Sequence, residues 1–596
     1  MVRGFVVLPD TPAADRAVGV SGDGGDVVAR HPSGRALLVV VGPAEPVVRA
    51  RAGRVVLVAV GFCPVTPDQL AAHAARVRSV ADLDRVALPG SSHLVASVDG
   101  RVRVQGSLSG VRRVAHARVG GVPVASDRAA LLARLAGTGI DEDALAVRVV
   151  CGDAVPPPLG ERSTWRGVTT VPPDHCLLLG DRVVRRWTAP EPALPAAEGV
   201  AAVRDALVEA MGHRRGVRFS ADLSGGLDSG SLCFLAAHHG VPDLLTVRVA
   251  GSDPHNDDAV HAARAVRSLP HAEHLVLSPA DLPALFTDPA RATDTDEPTT
   301  CTRTDALERH VVGLLADRGY HHHVGGHGGD ELFLPVHGHL HGLLRRAPVT
   351  ALRLLRAHRA VERWPPAETL RGLLARPGTV SGWWRDQAAG LTRPGAPQRG
   401  PLFGWGLSPL RASSCATPEA VATARAALRR AADDAEPLAA DPGQHQTVLV
   451  LRTAAAGYRH LAALHAEQHV FLDLPYLDDR VLDAVLSVQA HHRSTPWQYK
   501  RLLAEAMRGI LPEPLRRRQT KGDFSAEAYD GLRRNAAAVR DLFADSLLAE
   551  RGLVDPDRVR RLTETAHVVE DHQFAVEDLI GCEAWLRAGS VVGPAR

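Results

Sequence analysis

The chain has 596 residues, 45% hydrophobic and 23% charged, which is too long for one ordinary core and has the balance of a soluble globular protein of two or more domains. Its 69 basic and 67 acidic residues leave a net charge of +2, so no global field directs it to nucleic acid. Seven scattered cysteines (Cys63, Cys151, Cys176, Cys233, Cys301, Cys415, Cys582), without a Cys-x-x-Cys pair, indicate reduced thiols, neither a disulfide framework nor a zinc site.

Residues 1 to about 190 read as mostly β. Arg35–Val41 and Arg54–Val60 are Val-rich runs bounded by Gly and Pro. His93–Val104 reads as a hairpin turning at Asp99-Gly100. Ser126-Asp127 predicts the capped start of a helix running into Leu132. Pro190–Val200, rich in Pro and Ala, reads as a linker.

From about 200 onward helix and short apolar strand alternate, as in a doubly wound α/β domain. A helix over Val200–His213 leads to a strand at Arg218–Leu223. Ser224, Gly225 and Gly226 then make a tight turn, and Asp228–Ala237 is helical in pattern. Such a turn offers an anion the N–H groups and positive dipole end of a helix, and Ser224 and Ser229 add hydroxyl donors. Asp228 is out of place beside an anion unless a Mg²⁺ lies between them. No Gly-Lys-Ser/Thr follows, so this is not a Walker loop, and it is not Gly-x-Gly-x-x-Gly. Further strands are expected at Leu244–Val249 and His274–Leu277, with a helix opening at Asn256–Ala259 and another over Thr304–Arg318. Ligands of an open parallel sheet sit at the carboxyl ends of its strands, where this turn falls.

A second glycine cluster, Gly325-Gly326-His327-Gly328-Gly329-Asp330-Glu331, follows a strand that contains His321-His322-His323. Alternate strand residues face opposite ways, so the three histidines are not read as a metal site. Residues 340–440 form an Arg-, Leu- and Trp-rich insertion, with Val349–Arg363 helical, a loop at Gly390–Gly404 and tryptophans that pack. Gln444–Leu464 is a long helix. Arginine supplies nearly all positive charge, and Lys500 and Lys521 are the only lysines.

Ser224–Ser229 resembles the pyrophosphate loop of enzymes that split ATP into AMP and pyrophosphate. Together with Asp296-Glu297-Pro298, Gly326–Glu331 and Arg518–Phe524 it resembles the synthetase domain of the asparagine synthetase superfamily, and the β-rich first part resembles that superfamily's glutamine-hydrolysing domain. The resemblance implies an α/β chain: a degenerate Ntn-hydrolase-like β-rich domain over 1–189, a linker over 190–200, and a doubly wound ATP-pyrophosphatase domain with helical extensions over 201–596. In the superfamily the amidase nucleophile is a cysteine at residue 2. Here that residue is Val2, so the amidase chemistry is expected to be absent.

The resemblance also implies the cofactors, ATP and Mg²⁺, and the roles. Leu223, Val249 and Gly325 match positions that hold adenine through backbone groups. Ser224, Gly225, Gly226, Ser229 and Gly326 fall with the phosphates, and Asp228 and Asp330 match the metal-binding carboxylates. Lys500 matches a lysine near phosphate, and Lys521 one near the developing oxyanion. Inside Gly326-x-Gly328 the subfamilies differ, and His327 could take the proton of an attacking ammonium.

The opening Phe5–Asp10, the Gly-His-Gly-Gly-Asp-Glu-Leu-Phe block and the basic insertion look like actinobacterial lasso peptide cyclases. That implies adenylation of an Asp or Glu side chain of a core peptide and macrolactam closure by its α-amine. The expected partners are the precursor peptide, a leader-peptide-binding protein and a leader protease, with no nucleic acid and no membrane span, in the cytoplasm. Alternatives are a β-lactam synthetase-like small-molecule cyclase, an ammonia- or amine-dependent asparagine synthetase-like ligase, a tRNA-modifying pyrophosphate-loop enzyme and a non-catalytic scaffold.

Overall fold

The computed structural model describes residues 3–17, 25–43, 45–153, 155–251, 253, 256–375, 378–393, 400–520, 522, 525–564 and 570–590. The first third of the chain forms two six-stranded antiparallel sheets. One runs Thr169–Val171, Val114–Val119, Val122–Ser126, Gly4–Val7, Ala36–Val41, Gly25–Arg30, and the other Arg182–Arg185, His175–Leu178, Arg101–Gln105, Ser91–Val98, Val55–Phe62, Val47–Ala52. Strand periodicity sorts the side chains. Phe5 and Val7 meet Val56, Val58 and Val95 between the sheets. Val6 and Leu8 turn the other way, onto Leu131 and Leu132 of the helix Ala129–Ala136. Beyond the second sheet, Leu57 and Ala96 pack against Leu70 and Ala74 of the helix Pro67–Arg76. The layers are therefore helix, sheet, sheet, helix. The expected hairpin turns at Asp99 (φ 50°) and Gly100 (φ 80°), both left-handed, the two positions that a tight two-residue turn requires.

The helix expected from Ser126 begins at Ala129, and neither Ser126 nor Asp127 caps it. Ser126 Oγ accepts from Arg128 N and Asp127 Oδ1 from Phe5 N. The free N–H groups of Ala129 and Ala130 go instead to the carboxylate of Asp296, at 2.9 and 3.1 Å. A residue 166 positions away supplies the local cap, and local sequence holds no sign of it.

A helix, Ala196–Gly212, starts inside the expected linker, behind Pro195, and Leu194 is bridged to Val488. Pro before a run of Ala and Glu favours a helix start. The second half is built on a five-stranded parallel sheet in the order Glu273–Leu277, Leu245–Val249, Ser220–Asp222, His322–Val324, Phe471–Asp473. Helices Leu227–His238, Asp258–Arg267 and Asp305–Asp317 follow the first three strands in sequence, and Pro442–Glu467 leads into the last. The order reverses between Ser220–Asp222 and His322–Val324. That junction is the crevice where ligands of doubly wound sheets bind.

The insertion is a set of helices, among them Pro348–Val361, Val380–Gly390 and Pro418–Asp434. Gly390 ends a helix, and residues 394–399 of the expected loop lie outside the described residues. Trp383 and Trp384 meet edge to face at 4.9 Å with Trp384 buried, so these rings pack, as expected. Among the described residues no helix is long and apolar enough to cross a membrane.

The two halves are locked by Asp296 and Glu297, both buried. Glu297 accepts from Arg113 (2.7 Å), Arg148 (2.9 Å) and Arg459, and Asp296 from Arg113 and Arg128 besides the helix cap. Burial pushes the Glu297 carboxyl upward, but Arg113, Arg459 and Arg148 together hold it well below the usual carboxylate range. The Asp-Glu-Pro landmark is thus a seam between the halves.

Candidate functional site

The turn after Ser220–Asp222 lies at the switch point. Leu223 N donates to Val247 O at 2.8 Å, extending the strand by one residue, and Gly225 turns the chain at φ 98°. A Cβ on Gly225 would lie 2.4 Å from Asp258 O, so only glycine fits. Ser224 and Ser229 hydroxyls bond each other at 3.0 Å, and Ser224 Oγ accepts from Gly226 N, so both hydroxyls brace the turn. Helix Leu227–His238 follows with glycine at its N-cap and no side-chain cap there.

Gly325 extends the next strand, donating to Asp473 O at 2.9 Å. Register sets Asp222 opposite Val247 and Ala221 opposite Val324, so Leu223, Val249 and Gly325 come to the same carboxyl edge of the sheet. Gly326 lies against Ser229, where a Cβ would be 3.0 Å from the amide nitrogen, and Gly328 (φ 93°) turns into the helix Gly329–Phe333. A Cβ on Gly329 would fall 2.4 Å from Asp228 Oδ1. The two glycine clusters therefore interlock, and their interlocking brings Asp228 and Asp330 together.

Lys500 stands between those carboxylates. Its buried Nζ lies 2.6 Å from Asp330 Oδ1 and donates to Asp228 Oδ2. It sits at the head of helix Arg501–Ala506 with φ 44°, a backbone conformation that costs a non-glycine residue about 1–2 kcal/mol. From behind, the buried Tyr476 hydroxyl donates to Asp228 O at 3.0 Å.

Arg518 is a site residue that motif reading quoted but gave no role. Its guanidinium donates to Gly225 O (2.8 Å) and pairs with Asp257 (2.5 Å) and Asp258 (2.6 Å). Thr520 also donates to Asp257, and the Thr520 and Arg518 contacts keep that carboxyl below its ordinary value. The signal for this role was the Arg at the head of the landmark combined with Asn256-Asp257-Asp258. Lys521, with Asp523 and Phe524, lies outside the described residues, as does Val2.

His327 is exposed on the same face, its ring 5.3 Å from that of Tyr458. The histidine run separates as strand alternation requires. His321 bonds His469 O, His322 bonds Asp473 (2.8 Å), and His323 bridges Ser220 and Asp222.

The arrangement is an open crevice with backbone donors, two carboxylates and a buried ammonium. Ser224 and His327 are exposed and the Asp330 side chain is 37% exposed. A separate cavity of about 390 Å³ lies between the halves, lined by Phe5, Arg112, Arg113, Asp127, Glu297 and Phe471 among others, with no cysteine or serine among its lining residues.

The family model for asparagine synthase matches residues 202–587, well over half of the chain. No curated protein matches.

Proposed function

Because the chain belongs to the asparagine synthase family, whose members are ATP-dependent carbon–nitrogen ligases, we propose that it is a lasso peptide cyclase. In this reading it adenylates an Asp or Glu side chain of a core peptide and closes a macrolactam with that peptide's own α-amine. AMP and pyrophosphate are the leaving products.

The observation that carries the choice of amine is the state of the thiols in the β-rich half. Burial pushes Cys63 up to about 11 and Cys151 up to about 12, and raises Cys176. None is a thiolate at neutral pH, no cysteine or serine lines the cavity, and the hydroxyl it does offer, that of Thr295, donates to Glu297 O. Ammonia from glutamine is then not made, and the substrate must bring its own amine. The exposed crevice favours a large substrate over one of few atoms, since small molecules are held in enclosed pockets.

Backbone groups of Leu223, Val249 and Gly325 would hold adenine, and Ser224–Ser229 with Gly326 the phosphates. Asp228 and Asp330 fit Mg²⁺: hard oxygen donors that already converge on one cation, the Lys500 ammonium. When bound, the ion supplies charge neutralisation on phosphate oxygens. Lys500 adds a fixed positive charge that lets an anionic carboxylate approach an anionic phosphate. Arg518 holds the turn in shape by tying Gly225 to Asp257 and Asp258. Lys521 is assigned to the developing oxyanion of amide formation. His327, exposed in the same glycine cluster, would accept the proton that the ammonium loses as it becomes a nucleophile.

The partners in this reading are the precursor peptide, a leader-peptide-binding protein and a leader protease. The test is ATP–pyrophosphate exchange and product mass with candidate core peptides, supplied with those accessory proteins, against glutamine, free aspartate and small amino-acid derivatives. Peptide-dependent AMP release with loss of one water is expected. Turnover of a small derivative alone would mark a small-molecule ring former, and no AMP with any substrate would overturn the ligase reading for this chain. His327→Ala should keep the exchange reaction and slow ring closure.

A further inference from the structure

Away from the crevice, two imidazoles and one carboxylate converge at the foot of the insertion. His358 and Glu362 are one helical turn apart at the end of Pro348–Val361, and His337 comes from the connection that follows helix Gly329–Phe333. Both rings donate to the same oxygen, His337 Nε2 at 3.0 Å and His358 Nδ1 at 2.9 Å from Glu362 Oε1. The three donor atoms lie within 4.8 Å of one another.

From this geometry we infer a binding site for a late divalent metal ion of the zinc class, held by His337 Nε2, His358 Nδ1 and Glu362 Oε1. Zinc bonds to nitrogen and oxygen are about 2.0–2.1 Å, so two tetrahedral ligands sit roughly 3.3 Å apart. The nitrogen-to-oxygen edges present are a few tenths of an ångström shorter, and a small outward shift admits the ion. Each imidazole turns a lone pair to the metal by carrying its hydrogen on the other ring nitrogen, so a neutral ring needs no net proton loss. Two nitrogens and one oxygen suit zinc, cobalt or nickel and disfavour Mg²⁺ or Ca²⁺, which demand oxygen.

The surroundings fix the rings. Arg363 takes φ 56°, in the left-handed region, directly after Glu362, and so returns the chain to bring Trp364 onto both imidazoles. Its indole meets His337 edge to face at 4.7 Å and stacks on His358 at 5.7 Å, and Phe403 closes on Trp364 from the other side. The His358 side chain is 3% exposed and that of Glu362 31%, so the ion would be walled on one side and open on the other, leaving room for a water as fourth ligand. The site uses no cysteine, which is why thiol spacing does not reveal it. It would staple the connection that leaves the Asp330 loop to the insertion.

The test uses the full chain, stripped with a chelator and titrated with Zn²⁺ and Co²⁺. One tight equivalent is expected, with the visible absorption of tetrahedral Co²⁺ and a raised melting temperature. Glu362→Gln and His337→Asn keep shape and hydrogen-bonding capacity, and each should weaken binding by roughly tenfold or more and abolish the cobalt band. His491→Ala, in the half-buried His491–His492 pair, should leave both unchanged. Should a variant fail to fold, X-ray absorption of the zinc-loaded wild type decides by counting imidazole ligands. No tight equivalent, binding retained in both variants, or a spectrum without two imidazoles would each overturn the site.

Discussion

Lys500 Nζ lies 2.6 Å from Asp330 Oδ1 while also donating to Asp228, so one buried ammonium closes the gap between two carboxylates from different glycine clusters. Lys500→Met leaves those carboxylates facing each other without a fixed counter-charge, and should cut ATP–pyrophosphate exchange by roughly 10²–10³-fold. Lys500→Arg should not restore it, because a planar guanidinium does not fill the place of a point ammonium with no spare volume. Circular dichroism and the melting temperature, measured beside the exchange rate, separate lost chemistry from lost folding. Near wild-type exchange by the Met variant would remove Lys500 from the machinery.

Gly329 has no spare volume against Asp228. The Cβ of Gly329→Ala would lie 2.4 Å from Oδ1 and 2.5 Å from Cγ of that carboxylate, so Asp228 or the Gly329–Phe333 helix must move. A fall in exchange of roughly tenfold or more is expected, since about an ångström of misplacement costs up to two orders of magnitude. Gly216→Ala, with open space around the added carbon, is the matched control and should leave the rate unchanged.

Much of this was legible in the chain because it is local. Ser224–Ser229 after an apolar strand, and Gly326–Glu331 after another, specify turns through glycines that cannot be replaced, and they stand where strand order reverses. The rest depends on long-range partners. Ser126 and Asp127 look like a helix cap, yet the cap is Asp296. Asp296-Glu297 reads only as one landmark of the synthetase domain, and its place as a seam depends on distant arginines. Its arginine partners, Arg113, Arg128, Arg148 and Arg459, are scattered among dozens of arginines that composition alone cannot rank. His337, His358 and Glu362 had only a one-turn spacing to mark two of the three.

Glu297 carries the seam. Removing its carboxylate leaves Arg113 and Arg148 buried with one partner fewer each, and breaking a buried pair this way costs about 3–5 kcal/mol. Glu297→Ala should therefore unfold at markedly lower denaturant, and with separate transitions for the two halves if the seam couples them. Urea unfolding followed by near- and far-ultraviolet circular dichroism checks this. A single transition with an unchanged midpoint would mean that the seam contributes nothing to stability.

Arg214 serves two carboxylates with one positive charge. It is fully buried, clasps Asp473 through two contacts of 2.6 Å, and reaches Asp478 only at 3.3 Å. Asp473 is held well below the usual carboxylate range by the Arg214 charge, which outweighs the effect of burial. Asp478 receives the weaker share, and burial, with the Asp473 charge adding to it, pushes its carboxyl up from 3.8 to about 6. The two groups act in opposite pH windows. A carboxyl whose folded value is raised makes the folded state bind more protons than the unfolded one between about pH 4 and 6, so Asp478 lowers stability as pH rises through that window, and the loss is complete above it. Asp473, depressed, contributes stability that is present above its unfolded value and is lost only as pH falls well below 4. Asp478→Asn imitates the protonated side chain at every pH. It should approach the wild type only near pH 3 and below, where Asp478 is mostly protonated in both states, and exceed it at pH 7.5, with a flatter melting temperature from pH 4 to 6. Measuring that curve for both proteins decides the point. A variant that loses stability equally at both pH values would show that Asp478 is bound to Arg214 as a full ion pair, and that the guanidinium is shared evenly between the two.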